Sequence, residues 1–478
     1  MSIGAPTAAA LGRALIISLT ALTVSAPLST WLGARRGRVR TFAWALVLAP
    51  FFTPALLISY AFSKFALSLV VSPWSHEAVY IGVLALKLTP IAVVIRRLVP
   101  PPLSAEAWHV YQMLSAESRM ERIRFALRAA GAGPLIAGGI VFLLAFSDFE
   151  LASLWSIRTW TVALFDAQAG GLALPETLRL AAAPLAIELA LLTSIFSFAA
   201  CIPNAQLREV LSGLGRGRPG SLQGAGAPPP QERFFSAATR GGSVRAPWLY
   251  LTFAATVVCF LPLSIVIAQA AAGFHALTEN FVLGNELGAS ALFAVGAALS
   301  ADVLARLGRR RRAFTVCLAT PGLLGALAVS LLVLALFQTP PLRPAYDTPL
   351  PLLLALAIVL LPLALLLRTL RSTPTPALHI ARQLGSRRLL WEMETRPRAV
   401  ALGLLACCAW FDFTASSILA PIGLTPVFAR LHNLAHYGQT AVLSALMLVA
   451  FATPVLALLL AGATAHFFAE RKATGFRS

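Results

Sequence analysis

The chain has 478 residues, 58% of them hydrophobic and only 12% charged, with a mean hydropathy of +0.78. A soluble domain carries about a quarter of its residues as charges, so a water-soluble globule is excluded. The formal charge of +19 would suit a nucleic-acid binder in a soluble chain, but the basic residues sit in short loops between apolar blocks, and that reading is excluded as well.

Each apolar block is long enough to cross a bilayer, which takes ~20 residues of helix. The blocks are continuously apolar rather than alternating, so helices are predicted and not barrel strands. In chain order they cover 11–32, 42–63, 78–98, 134–156, 178–201, 248–272, 287–305, 314–337, 349–367, 398–419 and 440–467. The expected fold class is therefore all-α, a polytopic membrane protein of about eleven transmembrane helices.

The first block lacks a basic segment before it and is followed by Arg35, Arg36, Arg38 and Arg40. It reads as a retained helix with its N-terminus outside. On that orientation the inner segments are 33–41, 96–133, 202–247, 306–313, 368–397 and the tail after 468. They hold most of the basic residues, and the outer loops keep little beyond Lys64, Arg158, Arg343 and Arg430. Arginine resists translocation, so the C-terminus is expected in the cytoplasm of a bacterial inner membrane, with the lipid bilayer as partner and no nucleic acid.

Between the fifth and sixth blocks lies 202–247, with Gly213, Gly215, Gly217, Gly220, Gly224 and Pro228-Pro229-Pro230. Such a stretch is a flexible connection. It divides the chain into a first unit at 1–201 and a second at 248–478. The halves echo one another: Ala145-Phe146-Ser147-Asp148-Phe149 returns as Ala409-Trp410-Phe411-Asp412-Phe413, an offset of 264 that also pairs Gly139 with Gly403 and Ser153 with Ser417. A looser pair is Leu48-Ala49-Pro50 with Leu318-Ala319-Thr320-Pro321. Five spans in the first half would invert the second copy; the extra span at 248–272 restores its direction. Two parallel pseudo-equivalent units are therefore expected, unlike the inverted repeats of many secondary transporters.

Two inner loops carry a further pattern. His379-Ile380-Ala381-Arg382-Gln383-Leu384-Gly385-Ser386-Arg387 is followed by Pro397, Gly403 and Asp412-Phe413. In the first half Glu106-Ala107 opens a loop with Ser115-Ala116 further on, and Pro134, Gly139 and Asp148-Phe149 follow. In this order the chain resembles the permeases of type I ATP-binding-cassette importers, and more narrowly the fused two-unit permeases for iron(III) and thiamine. The family loop is Glu-Ala-Ala-x3-Gly; here His379 replaces its glutamate, and the first loop lacks its glycine. The resemblance implies a substrate path enclosed by two units, cytosolic ATPase subunits and an extracytoplasmic substrate-binding protein as partners, and iron(III) as first substrate, ahead of thiamine, polyamine or phosphonate compounds. It also implies that Glu106, Ala107, Ser115, Ala116, Ala381, Gly385, Ser386 and Arg387 belong to ATPase-coupling loops.

Read from its residues alone, 106–128 is an amphipathic helix, with Val110, Met113, Leu114, Ile123 and Leu127 set among charges. Such a helix offers one face to a cytosolic partner or lies on anionic lipid. Charges within spans are costly, which singles out Lys87, Asp148, Glu150, Glu188, Asp302 and Asp412. Lys87, Asp148 and Asp412 are candidates for the translocation path; interhelical hydrogen bonding is the alternative for the aspartates, and pairing with Glu188 or Asp148 for Lys87. None of the three lysines has a P-loop context. Neither a nucleophile–base pair nor a metal motif is visible, His379, His432 and His436 included, so no enzyme activity and no cofactor is expected. The five cysteines read as apolar packing residues. The rival reading is a secondary transporter, which would show broken helices or ion-coupling residues in both halves; a divergent or inactive permease is the other.

Overall fold

A computed structural model describes residues 3–69, 73–99, 131–200, 245–280, 283–307, 317, 319–371, 378, 382–383, 387–436 and 440–474. All regular structure among the described residues is helical. Among these residues, eight helices are long and apolar enough to cross a membrane, or nine if a pair bent by 75° counts as one span. These are the helices of a multi-pass membrane protein.

Packing divides the chain into two compact units, Met1–Pro262 and Leu263–Ser478. The division falls inside the span Arg245–Phe274, later than the 202–247 connection expected to separate the units. The reason is that the start of this span packs on helices of the first unit.

In the first unit, α1 (Gly4–Gly33), α2 (Gly37–Phe52), α3 (Ala55–Leu69) and α4 (Pro73–Leu98) precede α5 (Gly133–Phe146), α6 (Glu150–Leu154), α7 (Trp160–Ala169), α8 (Leu174–Ala200) and α9 (Arg245–Ala255). α1 packs against α4, α5 and α7; α8 covers α5 and α7; and α6 lies against α3 and α4. In lipid, helices associate by close packing of small residues, and α1 buries Ala10, Ala14, Ser18, Ala21, Ser25 and Ser29. Its outward face carries Leu15, Ile16 and Leu19, about half exposed. Ser18 also donates to the Gly138 carbonyl of α5 at 2.9 Å.

In the second unit, α10 (Leu261–Asn280) leads to α11 (Leu283–Leu307), α12 (Ala326–Phe337), α13 (Leu350–Arg371), α14 (Arg387–Leu390), α15 (Arg396–Phe411), α16 (Thr414–Leu419), α17 (Val427–His436) and α18 (Thr440–Thr474). Here α11 packs against α13, α15 and α17; α18 covers α15 and α17; and α16 lies against α12 and α13. Element by element this is the internal packing order of the first unit. The internal prolines recur too, Pro90 of α4 with Pro362 of α13, and Pro184 of α8 with Pro454 of α18.

Four expected spans are interrupted, among them 134–156, whose helix stops at Phe146 and restarts at Glu150. The block at 42–63 bends at Thr53-Pro54. Within 314–337 the apolar helix is only Ala326–Phe337, after a 3-10 turn at Pro321–Leu323 and Gly325 at φ +88°. The block 398–419 stops at Phe411 and restarts at Thr414. Averaged hydropathy does not register such breaks, whereas proline and glycine mark them locally.

Candidate functional site

Both units carry the same local device. α5 ends at Phe146, Asp148-Phe149 breaks the chain, and α6 begins at Glu150; α15 ends at Phe411, Asp412-Phe413 breaks it, and α16 begins at Thr414. The first N–H groups of a helix have no intrahelical acceptor. Asp148 Oδ2 accepts from the Ala152 N–H at 3.1 Å, and Asp412 Oδ1 from the Ala415 N–H at 2.9 Å. Each aspartate thus satisfies a helix restart that would otherwise present a bare donor to an apolar interior.

The backbone carbonyls of the two aspartates are occupied as well. Thr161 Oγ1 donates to Asp148 O at 2.8 Å, and Ser416 Oγ to Asp412 O at 3.1 Å. The buried phenylalanines that follow hold the next short helix: Phe149 meets Phe165 of α7 at 4.9 Å between ring centroids, and Phe413 stacks on His432 of α17 at 4.9 Å. Between the short helices the backbone passes through the left-handed region once in each unit, at Ser156 (φ +54°) and Gly423 (φ +84°). His432 is therefore a buried ring in the packing.

Around Asp148 further polar groups gather. The Tyr80 hydroxyl of α4 donates to Asp148 Oδ2 at 3.0 Å, and Lys87, two turns further along the same face of α4, lies within electrostatic reach of it. Trp160 Nε1 donates to the Phe146 carbonyl at 2.8 Å, anchoring the break from the other side. Arg13 of α1 grips Glu77 of α4 with two bonds of 2.7 Å and gives a third, of 2.9 Å, to the Arg158 carbonyl ahead of α7. In the second unit Ser290 of α11 accepts from the Val427 N–H at 2.8 Å, again fixing the start of the second short helix.

Of the residues picked out by sequence, Asp148 and Asp412 fall at matching breaks, and Lys87 lies near the first of them. Of the two partners suggested for Lys87, Glu188 or Asp148, Glu188 is not one: both its carboxylate oxygens are buried without a hydrogen-bond partner among the described residues. Asp302 is paired, with Arg306 on its own helix and with Arg398 of α15 at 3.2 Å. Glu106, Ala107, Ser115, Ala116, Ala381, Gly385 and Ser386 lie outside the described residues, and Arg387 opens the short helix α14. Nearby, Arg382 and Glu394 form an exposed ion pair at 2.8 Å, worth little to stability in water.

Tyr80 and the Arg13–Glu77 pair carried no signal in the sequence, because their partners are remote along the chain. Among the described residues no three His, Cys, Asp or Glu side chains converge as a metal-ligand set, and Cys259, Cys317 and Cys407 are free thiols. Comparison with protein-family models, with curated proteins and with solved structures finds no match to this chain.

Proposed function

We propose that this chain is the membrane permease of an ATP-binding-cassette importer, formed from two fused permease units with about eleven membrane crossings between them. The observation that carries the reading is the shared internal order of the two units: long helix, Asp-Phe break, short helix, left-handed residue, second short helix, and a proline-containing helix to close. Duplicated units suit a path formed by two similar halves. The arginine-rich segments between spans support a cytoplasmic face, and with it an N-terminus outside and a C-terminus inside.

In this reading the loops 96–133 and 368–397 receive cytosolic ATPase subunits and pass their closure to α5 and α15, which follow directly. The Asp-Phe breaks lie at the far ends of those two helices, where a delivered substrate enters. An extracytoplasmic binding protein supplies the specificity, and iron(III) is the first substrate to try.

A second reading rests on the same breaks, because interrupted helices in both halves are a mark of secondary transporters. The parallel direction expected for the two units favours the importer. The experiment is to purify the chain together with its cognate ATPase and binding protein, reconstitute the complex, and measure ATP hydrolysis and uptake. Substrate-stimulated hydrolysis, weakened by Gly385→Val in the second coupling loop, supports the proposal. Uptake driven by an ion gradient without ATP replaces it with the secondary transporter.

A further inference from the structure

In the first unit two helix irregularities face each other. The pair α2 and α3 is bent by 75° at Thr53-Pro54, and directly after α9 the chain makes a π-helical turn over Thr256–Phe260. This turn lies against α2 and α4. Proline has no N–H, and it drives the residue before it out of helical geometry; Thr53 accordingly stands extended, at φ −73° and ψ 121°. A π turn holds one residue more than an α turn, and such turns interrupt helices frequently at functional sites.

One side chain from each irregularity joins them. Thr53 Oγ1 and Cys259 Sγ are 3.0 Å apart. The threonine hydroxyl has a single proton, and it goes to the Ala49 carbonyl at 2.9 Å. The thiol is therefore the donor, and Thr53 Oγ1 accepts. The Thr53 N–H also returns to the Ala49 carbonyl, at 3.1 Å, so this residue closes α2 and holds the π turn at once. Return of that turn to α geometry would re-aim the side chains within it, Cys259 included. The bend and the turn are thus coupled through one bond.

α3 and the π turn also border one apolar groove of about 330 Å³. Phe62 of α3 and Val257 of the turn line it, with Val24 of α1, Gly82 and Val83 of α4, and Phe253 of α9. A β-carbon on Gly82 would meet nothing within 4 Å, so the space there is open. Phe62 lies eight residues beyond Pro54, ~12 Å along the helix axis, at the end of a lever that starts at the break.

The second unit holds the equivalent break differently. Thr53-Pro54-Ala55-Leu56-Leu57 returns there as Thr320-Pro321-Gly322-Leu323-Leu324. Gly322 is wedged against α13: a β-carbon on it would stand 2.3 Å from the Ile358 carbonyl oxygen and 2.8 Å from Pro362 Cδ. Alanine does not approach a helix so closely, and the first unit has Ala55 in that place. Its break carries a side-chain bond where the other has a backbone wedge.

We propose that Thr53-Pro54 and the π turn form one hinge, latched by the Cys259 thiol, on which α3 swings and carries Phe62 into and out of the groove. Hinges are a few element-terminal residues that absorb the change in backbone angles, and a single neutral hydrogen bond is weak enough in net terms to be broken and remade. The inference concerns the first unit alone and stands whether or not the chain is an importer.

The test places para-fluorophenylalanine at position 62 of the full chain in lipid nanodiscs and follows it by fluorine NMR. The Trp155 ring lies 5.6 Å from that of Phe62, so the resonance reports movement of α3. Wild type should show two exchanging environments. With Cys201, Cys317, Cys407 and Cys408 changed to serine, Thr53→Cys should form a disulfide with Cys259 on oxidation and leave one environment; reduction should restore the second. Cys259→Ala removes the latch and should shift the populations about fivefold, whereas Cys259→Ser, which still donates to Thr53, should keep those of wild type. Should Thr53→Cys fail to fold, the two Cys259 variants decide alone. A signal that is the same in the locked, reduced and latch-free chains would overturn the proposal. So would a folded Thr53→Cys chain that does not cross-link, or equal populations in Cys259→Ala and Cys259→Ser.

Discussion

Tyr80 and Asp148, 68 positions apart in sequence, are joined by a 3.0 Å hydrogen bond from the tyrosine hydroxyl to Oδ2 of the aspartate. The bond ties α4 to the break between α5 and α6, and the same oxygen also receives the Ala152 N–H. One side chain therefore serves as helix cap and as interhelical link.

The first prediction follows from that double duty. Asp148→Ala removes the acceptor for two buried donors, whereas Asp412→Ala removes the cap of Ala415. Loss of a cap costs about 1 kcal/mol, and each buried donor left unmet costs about 1–3 kcal/mol. Asp148→Ala should thus be the more destabilising change, by ~1 kcal/mol or more, and Asp148→Asn, which keeps an acceptor oxygen, should recover most of the loss. Unfolding in mixed micelles measures all three. An Asp412→Ala variant that unfolds more easily than Asp148→Ala would contradict the assignment.

Arg13 and Glu77 provide a second test. The guanidinium makes two parallel bonds to the carboxylate and a third to the Arg158 carbonyl, and its side chain is only 13% exposed. A lysine supplies the charge but not the planar fork. Arg13→Lys should recover less than half of the stability lost in Arg13→Ala. A double-mutant cycle with Glu77→Gln should give a coupling of ~1–2 kcal/mol, above the range of exposed pairs. A coupling near zero would mean that the pair is held by crowding and not by its geometry.

The sequence was informative where physics is local. Bilayer-length apolar runs, the arginine bias and the repeated Asp-Phe can all be read from neighbouring residues, and each of the eight candidate spans overlaps one expected block. The breaks at Thr53-Pro54, Gly325 and Asp412 were signalled by their own residue types, yet a hydropathy window averages across them. What stayed hidden depends on partners remote in the chain. Nothing near Tyr80 announces Asp148, and nothing near Lys87 indicates that it does not bond to Glu188. The location of the unit boundary at Pro262 was hidden for the same reason, since it is set by what α9 packs on.

Two glycines separate backbone crowding from side-chain crowding. In α13, Pro362 has no N–H to offer the Ile358 carbonyl four residues earlier, and that freed carbonyl lies against Gly322, where a β-carbon would collide with it and come within 2.8 Å of Pro362 Cδ. Neither backbone nor proline ring can move aside. Gly322→Ala should therefore cost about 1–3 kcal/mol, as overpacking does. At Gly403 the obstacle is the tip of Leu458, 2.6 Å away on a side chain that is 42% exposed. It can swing outward, and Gly403→Ala should change stability by less than ~1 kcal/mol. Melting curves of the two variants should separate clearly; equal shifts would remove the distinction.

Glu188 carries the sharpest prediction. It belongs to the inward stripe of α8, with Thr177, Ala181, Pro184, Leu192 and Ile195, and it is fully buried. Both carboxylate oxygens lack a partner among the described residues, so the desolvation of the group is offset by no hydrogen bond or ion pair there. A residue that only built the fold would be expected to be leucine at this position. On the proposed permease reading, a carboxyl held at such a cost is a candidate for the transport path, since ionisable residues within membrane spans mark pathways and relays, and function is commonly retained against stability. Glu188→Leu is therefore expected to fold, to melt ~2–4 °C higher for each kcal/mol gained, and to lose most of the transport measured in reconstituted vesicles. Glu188→Gln should stay near wild-type stability and lose transport likewise. If Glu188→Leu melts lower than wild type, the carboxyl has a stabilising partner in the membrane. If it transports normally, the residue is no part of the path.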